Sequence, residues 1–152
     1  MDTMKPLATN KKAHFNYEIL EKIEAGIVLT GIEAKAVKTG KADLSGSFAI
    51  IRNNKISLVN CSISPYQPKN INFIYESDRT KKLLLNKKEI EYLIGKIKQK
   101  NLTLIPLRMY NKHGLVKVEL GLAKGKKKFD KRETIKKRET KRNVDRAKRG
   151  LY

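Results

Sequence analysis

With 152 residues, 35 Lys or Arg against 15 Asp or Glu and a formal net charge of +20, the chain is far more basic than solubility requires, and a polyanion partner is indicated, nucleic acid ahead of an anionic membrane surface. Apolar runs such as Ile27-Val28-Leu29 and Leu83-Leu84-Leu85 are too short to span a bilayer and no signal-peptide pattern opens the chain, so a soluble, cytoplasmic protein is expected. A single cysteine, Cys61, excludes an internal disulfide and a cysteine-built zinc site.

Residues 1–13, with Pro6 and the cluster Asn10-Lys11-Lys12, show no periodicity and read as a flexible basic arm. From Tyr17, apolar residues fall at Tyr17, Ile19 and Ile23, and Ile27 and Leu29 follow beyond Glu24-Ala25-Gly26; one long bent strand is predicted, kinked at Gly26. Good helix formers over 32–39 and a glycine at position 40 suited to a left-handed C-cap predict a short helix. Phe48 and Ile50, then Ile56 and Leu58, alternate about Asn53-Asn54, residues tolerant of positive φ, and predict a hairpin over 47–60.

Residues 62–79, with Pro65 and Pro68, read as a long irregular connection. Tyr66, Phe73 and Tyr75 interleave there with Lys69, Arg79, Lys81 and Lys82, as looped RNA favours; rings that simply close one end of a core explain the pattern equally well. Asn86 and Glu89 have the spacing of an N-cap and its reciprocal partner, and Ile90, Leu93, Ile94 and Ile97 follow at helical spacing. The far side of that helix carries Lys87, Lys88, Lys96, Lys98 and Lys100, a face more often solvated than bound when taken by itself. Leu102, Leu104 and Met109 lead to the turn Asn111-Lys112-His113-Gly114, and Val116, Val118, Leu120 and Leu122 alternate on the return. Pro106 requires an edge or a bulge in the outgoing strand, because it has no N–H to donate.

Strands outnumber helices without a repeating β-α-β order, so the fold class is mainly β, and hairpin, helix, hairpin fits a closed antiparallel barrel of the oligonucleotide-binding type over residues 14–123. His14 and His113 are the only histidines, neither in a preorganised setting, and no phosphate loop of the GxxxxGK[ST] form occurs; neither an enzyme nor a cofactor is expected.

Residues 124–152 form a basic tail. Over 124–149 it holds fourteen Lys or Arg against Asp130, Glu133, Glu139 and Asp145, a net +10 that is half of the molecule's charge. Such a segment cannot bury enough apolar surface to offset its ordering entropy, so it is expected to be disordered or transiently helical when free and helical on binding. Asp130 and Glu133 are spaced as a capping box, Glu133 to Lys137 and Asp145 to Arg149 are favourable pairs, and neither Gly nor Pro interrupts 131–149. A latent helix of about 28 Å results. Ile135, Val144 and Ala147 are too sparse for a core-facing stripe, so its partner is expected to be anionic, RNA in preference to bulk solvent.

The segments Asn10-Lys-Lys-Ala13, Glu24-Ala-Gly26, Gly31-Ile-Glu33-Ala-Lys35, Gly40-Lys-Ala42, Asp78-Arg-Thr-Lys-Lys-Leu-Leu-Leu-Asn86 and Leu122-Ala-Lys-Gly-Lys-Lys-Lys-Phe-Asp-Lys-Arg132, in this order, closely resemble small protein B, the tmRNA-binding family of bacterial trans-translation. The resemblance implies a barrel with flanking helices that binds the tRNA-like domain of tmRNA and stands in for the missing anticodon half. Glu33, Leu84 and Asn86 match the family's RNA-contacting positions, and Lys35 and Lys81 lie in the same motifs; each also has a plainer role, Glu33 within its helix, Leu84 in the core, Asn86 as a cap. Gly125, Asp130, Lys131 and Arg132 match functional positions of the tail that the family places in the decoding centre and empty mRNA channel of a stalled ribosome, on ribosomal RNA, and Lys124, Lys126, Lys127, Lys128 and Phe129 complete the same expected ribosome-binding stretch. Implied too are elongation factor Tu as escort, a monomer and no membrane. Phe129 and Phe15 stand where relatives commonly carry His, retaining a stacking surface without a proton to donate. The alternatives are a basic structural protein of the ribosome and, less favoured, an enzyme acting on RNA.

Overall fold

The computed structural model describes residues 5–66, 75–126 and 128–148. Strand β1 (Pro6–Thr9) and the single-turn helix α1 (Ala13–Asn16) precede the long strand β2 (Tyr17–Ile27), helix α2 (Gly31–Lys38) and the short strand β3 (Ala42–Asp43). The hairpin of β4 (Phe48–Arg52) and β5 (Lys55–Val59), then β6 (Ser62–Ile63) and β7 (Lys81–Leu84), lead into helix α3 (Lys87–Lys100). A second hairpin of β8 (Thr103–Lys112) and β9 (Leu115–Gly125) is followed by helix α4 (Lys128–Lys148). The fold is mainly β. No helix among the described residues is long and apolar enough to cross a membrane.

Local sequence explains most of these limits. Both hairpins close through two residues at positive φ, Asn53 (52°) with Asn54 (58°) and His113 (52°) with Gly114 (81°), the turn whose twist matches that of paired strands. Lys112 still pairs with Leu115, so the second turn is shorter than the four-residue signal suggests. Thr30 and Asn86 each form a complete capping box, with Glu33 and Glu89, and Asn101 ends α3 in the left-handed conformation.

All strand pairs are antiparallel, and they run β8–β9–β2–β7–β5–β4 before returning to β8 through the single pair Ala49–Leu104. β1 adds to the outer side of β8, and β3 pairs with β6 in a separate two-stranded sheet. Enclosed by these pairings are Ile56, Leu58, Leu104, Met109, Leu120 and Leu122, with Val37 of α2 and Leu93 of α3 packed on them. A smaller cluster of Ala13, Ile105, Leu107 and Ala123 lies beneath α1. Cys61 is wholly buried in the main core.

Three expectations change. The arm is anchored rather than flexible from residue 6 onward: β1 pairs with β8, the Asn10 amide N–H donates to the Leu107 carbonyl at 2.8 Å, and its side chain donates to the Pro106 carbonyl at 2.9 Å. β2 is long, as predicted, but its irregularity falls between Ile19 and Glu21, whereas Gly26 keeps register with both Lys117 and Leu84. The basic tail is already a continuous helix in the chain alone, consistent with 21 residues that include neither Gly nor Pro. Pro106, by contrast, does mark a bulge, between Pro106 and Arg108.

Candidate nucleic-acid interface

β7 builds the first candidate surface. It pairs with β2, Gly26 opposite Leu84, and with β5, Ser57 opposite Lys82 and Leu58 opposite Lys81. The two-residue period of a strand then sorts its side chains: Lys81 (0 % exposed) and Leu83 point inward, while Lys82 and Leu84 (51 % exposed) point outward. Leu84 is therefore a solvent-facing leucine and not core. A Cβ at position 26 would lie only 3.2 Å from the Leu84 Cβ, so a glycine there lets Leu84 lie close over β2. Two residues on, exposed Asn86 accepts the Glu89 amide on Oδ1 at 2.8 Å, while the Glu89 carboxylate accepts the Asn86 amide at 3.2 Å. The cap uses the side-chain oxygen and leaves the amide's two N–H donors at the surface.

Lys81 and Glu33, expected among the RNA-contacting residues, are enclosed instead. The Lys81 ammonium donates to the carbonyls of Cys61 at 2.6 Å and Ser77 at 3.2 Å, tying β7 to two segments that precede it. Burial pulls its pKa down, opposed by the charge of Glu33. Glu33 accepts the Thr30 amide at 2.9 Å as its half of the capping box. It also receives Arg79 in bidentate fashion, Nη2 on Oε1 at 2.5 Å and Nε on Oε2 at 3.2 Å. Burial pushes the Glu33 carboxyl up, but Arg79 and the Thr30 amide outweigh it and hold the pKa below the ordinary value.

The consequence appears at Arg79, whose side chain is 38 % exposed against 2 % for Glu33. A buried carboxylate thus fixes an outward-facing guanidinium, which also donates to the Thr80 carbonyl at 3.2 Å. Arg79 lines a cleft of about 500 Å³ with Thr30, Gly31, Ile32, Tyr75 and Glu76, and Tyr75 is braced there by its hydroxyl bond to the Ile63 carbonyl at 2.8 Å. Sequence reasoning placed Arg79 among cations flanking aromatic rings but missed its pairing with Glu33, 46 residues away. Lys35 is exposed on α2.

A second basic surface begins at the other end of β2. Lys124 and Gly125 are the last residues of β9, opposite Glu18 and Tyr17, so the sheet includes what the sequence assigns to the start of the tail. Lys126 then docks on α1, its amide donating to the Asn16 carbonyl at 2.9 Å and its ammonium to the His14 carbonyl at 2.8 Å. Lys127 lies outside the described residues, as do the side chains of Lys128, Phe129, Asp130 and Lys131, whose backbone opens α4; Arg132 is exposed. Further along, the Arg138 guanidinium stands 6.0 Å from the centroid of the Phe15 ring, a cation–π approach. The nine residue steps of β2 between the Gly125 pair and the Leu84 pair put about 30 Å between the two surfaces.

The chain matches the SmpB protein family over residues 7–150. It is similar to the SsrA-binding protein of Trichodesmium erythraeum (strain IMS101), 52% identical over 143 residues that cover 94% of this chain and 92% of the relative. The SsrA-binding protein of Sulfurihydrogenibium sp. (strain YO3AOP1) is 50% identical over 146 residues, 96% of this chain and 95% of that one. Among solved structures, a chain from "tmRNA-SmpB: a journey to the center of the bacterial ribosome" shares 46% identity with a TM-score of 0.65, covering 79% of this chain and 84% of that one. The matched span takes in the Leu84 edge, the Glu33–Arg79 support and the whole of the basic helix together, and on that extent of likeness the chain belongs to the SmpB family.

Proposed function

We propose that this protein binds the tRNA-like domain of tmRNA at the surface formed by Arg79, Leu84 and Asn86, and brings that RNA to stalled ribosomes in trans-translation. The observation that carries the reading is the separation of two differently built surfaces by the length of β2, one a small mixed apolar and hydrogen-bonding edge, the other a long cationic helix. Leu84 offers apolar contact to an unstacked base or ribose, Asn86 two N–H donors, and Arg79 with Lys35 and Lys82 positive charge for phosphates. Glu33 and Lys81 act from behind that surface as supports. The relatives are named for binding SsrA, and the solved structure is named for tmRNA, SmpB and the ribosome, which supports an RNA and a ribosome as the two partners.

The tail is read as the ribosomal element: Lys124 to Arg132 start it, Phe129 stacks where it cannot donate, and α4 lies in a vacant mRNA channel on ribosomal RNA. An occupied channel presents the same phosphates to mRNA, so engagement is conditional on vacancy. The circuit of strand pairings supports a closed barrel of the oligonucleotide-binding type. The protein acts as a monomeric cytoplasmic adaptor, not an enzyme, with elongation factor Tu as escort through the RNA.

A gel-shift with the isolated tRNA-like domain and excess tRNA as competitor tests this. The full chain is expected to bind in the presence of competitor, a chain ending at Lys126 to retain that binding, and Leu84→Asp to lose about tenfold or more, which is about 1.4 kcal/mol. Binding that yields to tRNA, or that disappears with the tail, would instead favour a general RNA-binding or structural ribosomal protein.

A further inference from the structure

Helix α3 carries a glycine that the fold does not use. Gly95 sits exposed in mid-helix, and a Cβ built there meets nothing within 4 Å. Glycine is unfavourable relative to alanine in a helix interior, and at this position neither a positive φ nor a close contact within the chain accounts for it. A strip of bare helical backbone is left open between Tyr92, one turn before, and Lys98, one turn after.

The neighbours of that strip are arranged for a partner. Tyr92 is 48 % exposed, yet its ring is tethered: the hydroxyl donates to Glu21 Oε1 at 2.6 Å, and Lys96 Nζ stands 5.7 Å from the ring centroid. Lys88 and Lys98 are exposed at either end, with Glu91 the acid between them, while the Glu89 carboxylate is engaged by the Asn86 amide. A merely solvated face needs the charges, but neither the missing Cβ nor the held ring.

We infer that the outer face of α3, from Lys88 to Lys98, seats a length of RNA sugar–phosphate backbone continuing from the Leu84–Asn86 surface. Lys88 and Lys98 meet phosphates, Tyr92 lies against a ribose or base, and Gly95 is the point of closest approach. Asn86 is the N-cap of this same helix, so the two surfaces adjoin without a break, and the ten residue steps from Lys88 to Lys98 extend the contact by about 15 Å. The inference rests on the proposed binding of the tRNA-like domain.

Gly95→Gln in the full chain separates fold from function. It adds helix propensity and no charge, so it is expected to melt about 2–4 °C higher, while binding the isolated tRNA-like domain about tenfold more weakly. The double variant Lys88→Gln, Lys98→Gln is expected to reduce the slope of log affinity against log salt by about 1.4 to 1.8, two phosphate contacts' worth. A stabilised Gly95→Gln chain that binds within twofold of wild type, together with an unchanged salt slope in the double variant, overturns the inference. If Leu84→Asp weakens binding and the α3 variants do not, this inference alone falls. If Leu84→Asp is also without effect, the reading beneath it falls too.

Discussion

Glu33 holds Arg79 through both carboxylate oxygens while its own helix end is clasped by Thr30, so one side chain couples helix formation to the aim of a guanidinium. Its pKa is lowered in the folded chain. The stabilisation from its ionised form is therefore complete above the unfolded value of about 4.3 and is lost as pH falls through the folded pKa. Urea unfolding across a pH series is expected to give Glu33→Gln a shallower acid decline than wild type, and a deficit of about 1–3 kcal/mol at neutral pH from the lost charged hydrogen bonds. Leu84 behaves oppositely. Half exposed already, Leu84→Ala is expected to change stability by less than about 0.5 kcal/mol while weakening binding of the tRNA-like domain, a split that thermal melts and gel-shifts on one preparation reveal. The inward turn of Lys81 and the outward turn of Leu84 are not legible from hydropathy, because the strand that sorts them has only four residues and a lysine on its buried face.

At the level of elements, the signals that read correctly are the local ones. The Asn86–Glu89 box and the Asn53-Asn54 turn each depend on residues within a few positions of one another, and both form as spaced. What does not read are pairings made across the chain: β1 against β8, and Arg79 on Glu33. Periodicity contains no information about these, and Pro6 and the surrounding polar residues hide a strand that exists because β8 offers it a partner. Asn86 combines a cap with a surface position, and substitution can separate the two. Asn86→Ala is expected to cost about 1 kcal/mol as well as RNA affinity, whereas Asn86→Asp keeps the cap and loses affinity only, because a carboxylate replaces two N–H donors beside phosphate. The α4 side chains among the described residues are all exposed, Arg138 against the Phe15 ring included. The far-ultraviolet ellipticity of α4 is expected to decline gradually on heating, ahead of the cooperative melting of the sheet, since a helix without a packed face is held mainly by propensity and neighbouring pairs.

Across the whole molecule, the two surfaces lie at opposite ends of β2, and removal of one should spare the other. A chain ending at Lys126 retains the complete β9 and its docking on α1. It is expected to bind the tRNA-like domain within about tenfold of the full chain at moderate salt, with a flatter salt dependence, and to support no tagging of stalled chains in a reconstituted translation assay. Cys61 supplies a way to watch this from inside. It is the chain's single thiol, fully buried, with burial pushing its pKa up to about 11, and its carbonyl accepts the ammonium of Lys81 at the head of β7. A thiol-alkylating reagent can reach it only when this part of the sheet opens, so the labelling rate is a clock for that opening. RNA seated on Leu84 and Asn86 slows the clock in proportion to its concentration over Kd, whereas an RNA held by α4 alone leaves it running at its original pace.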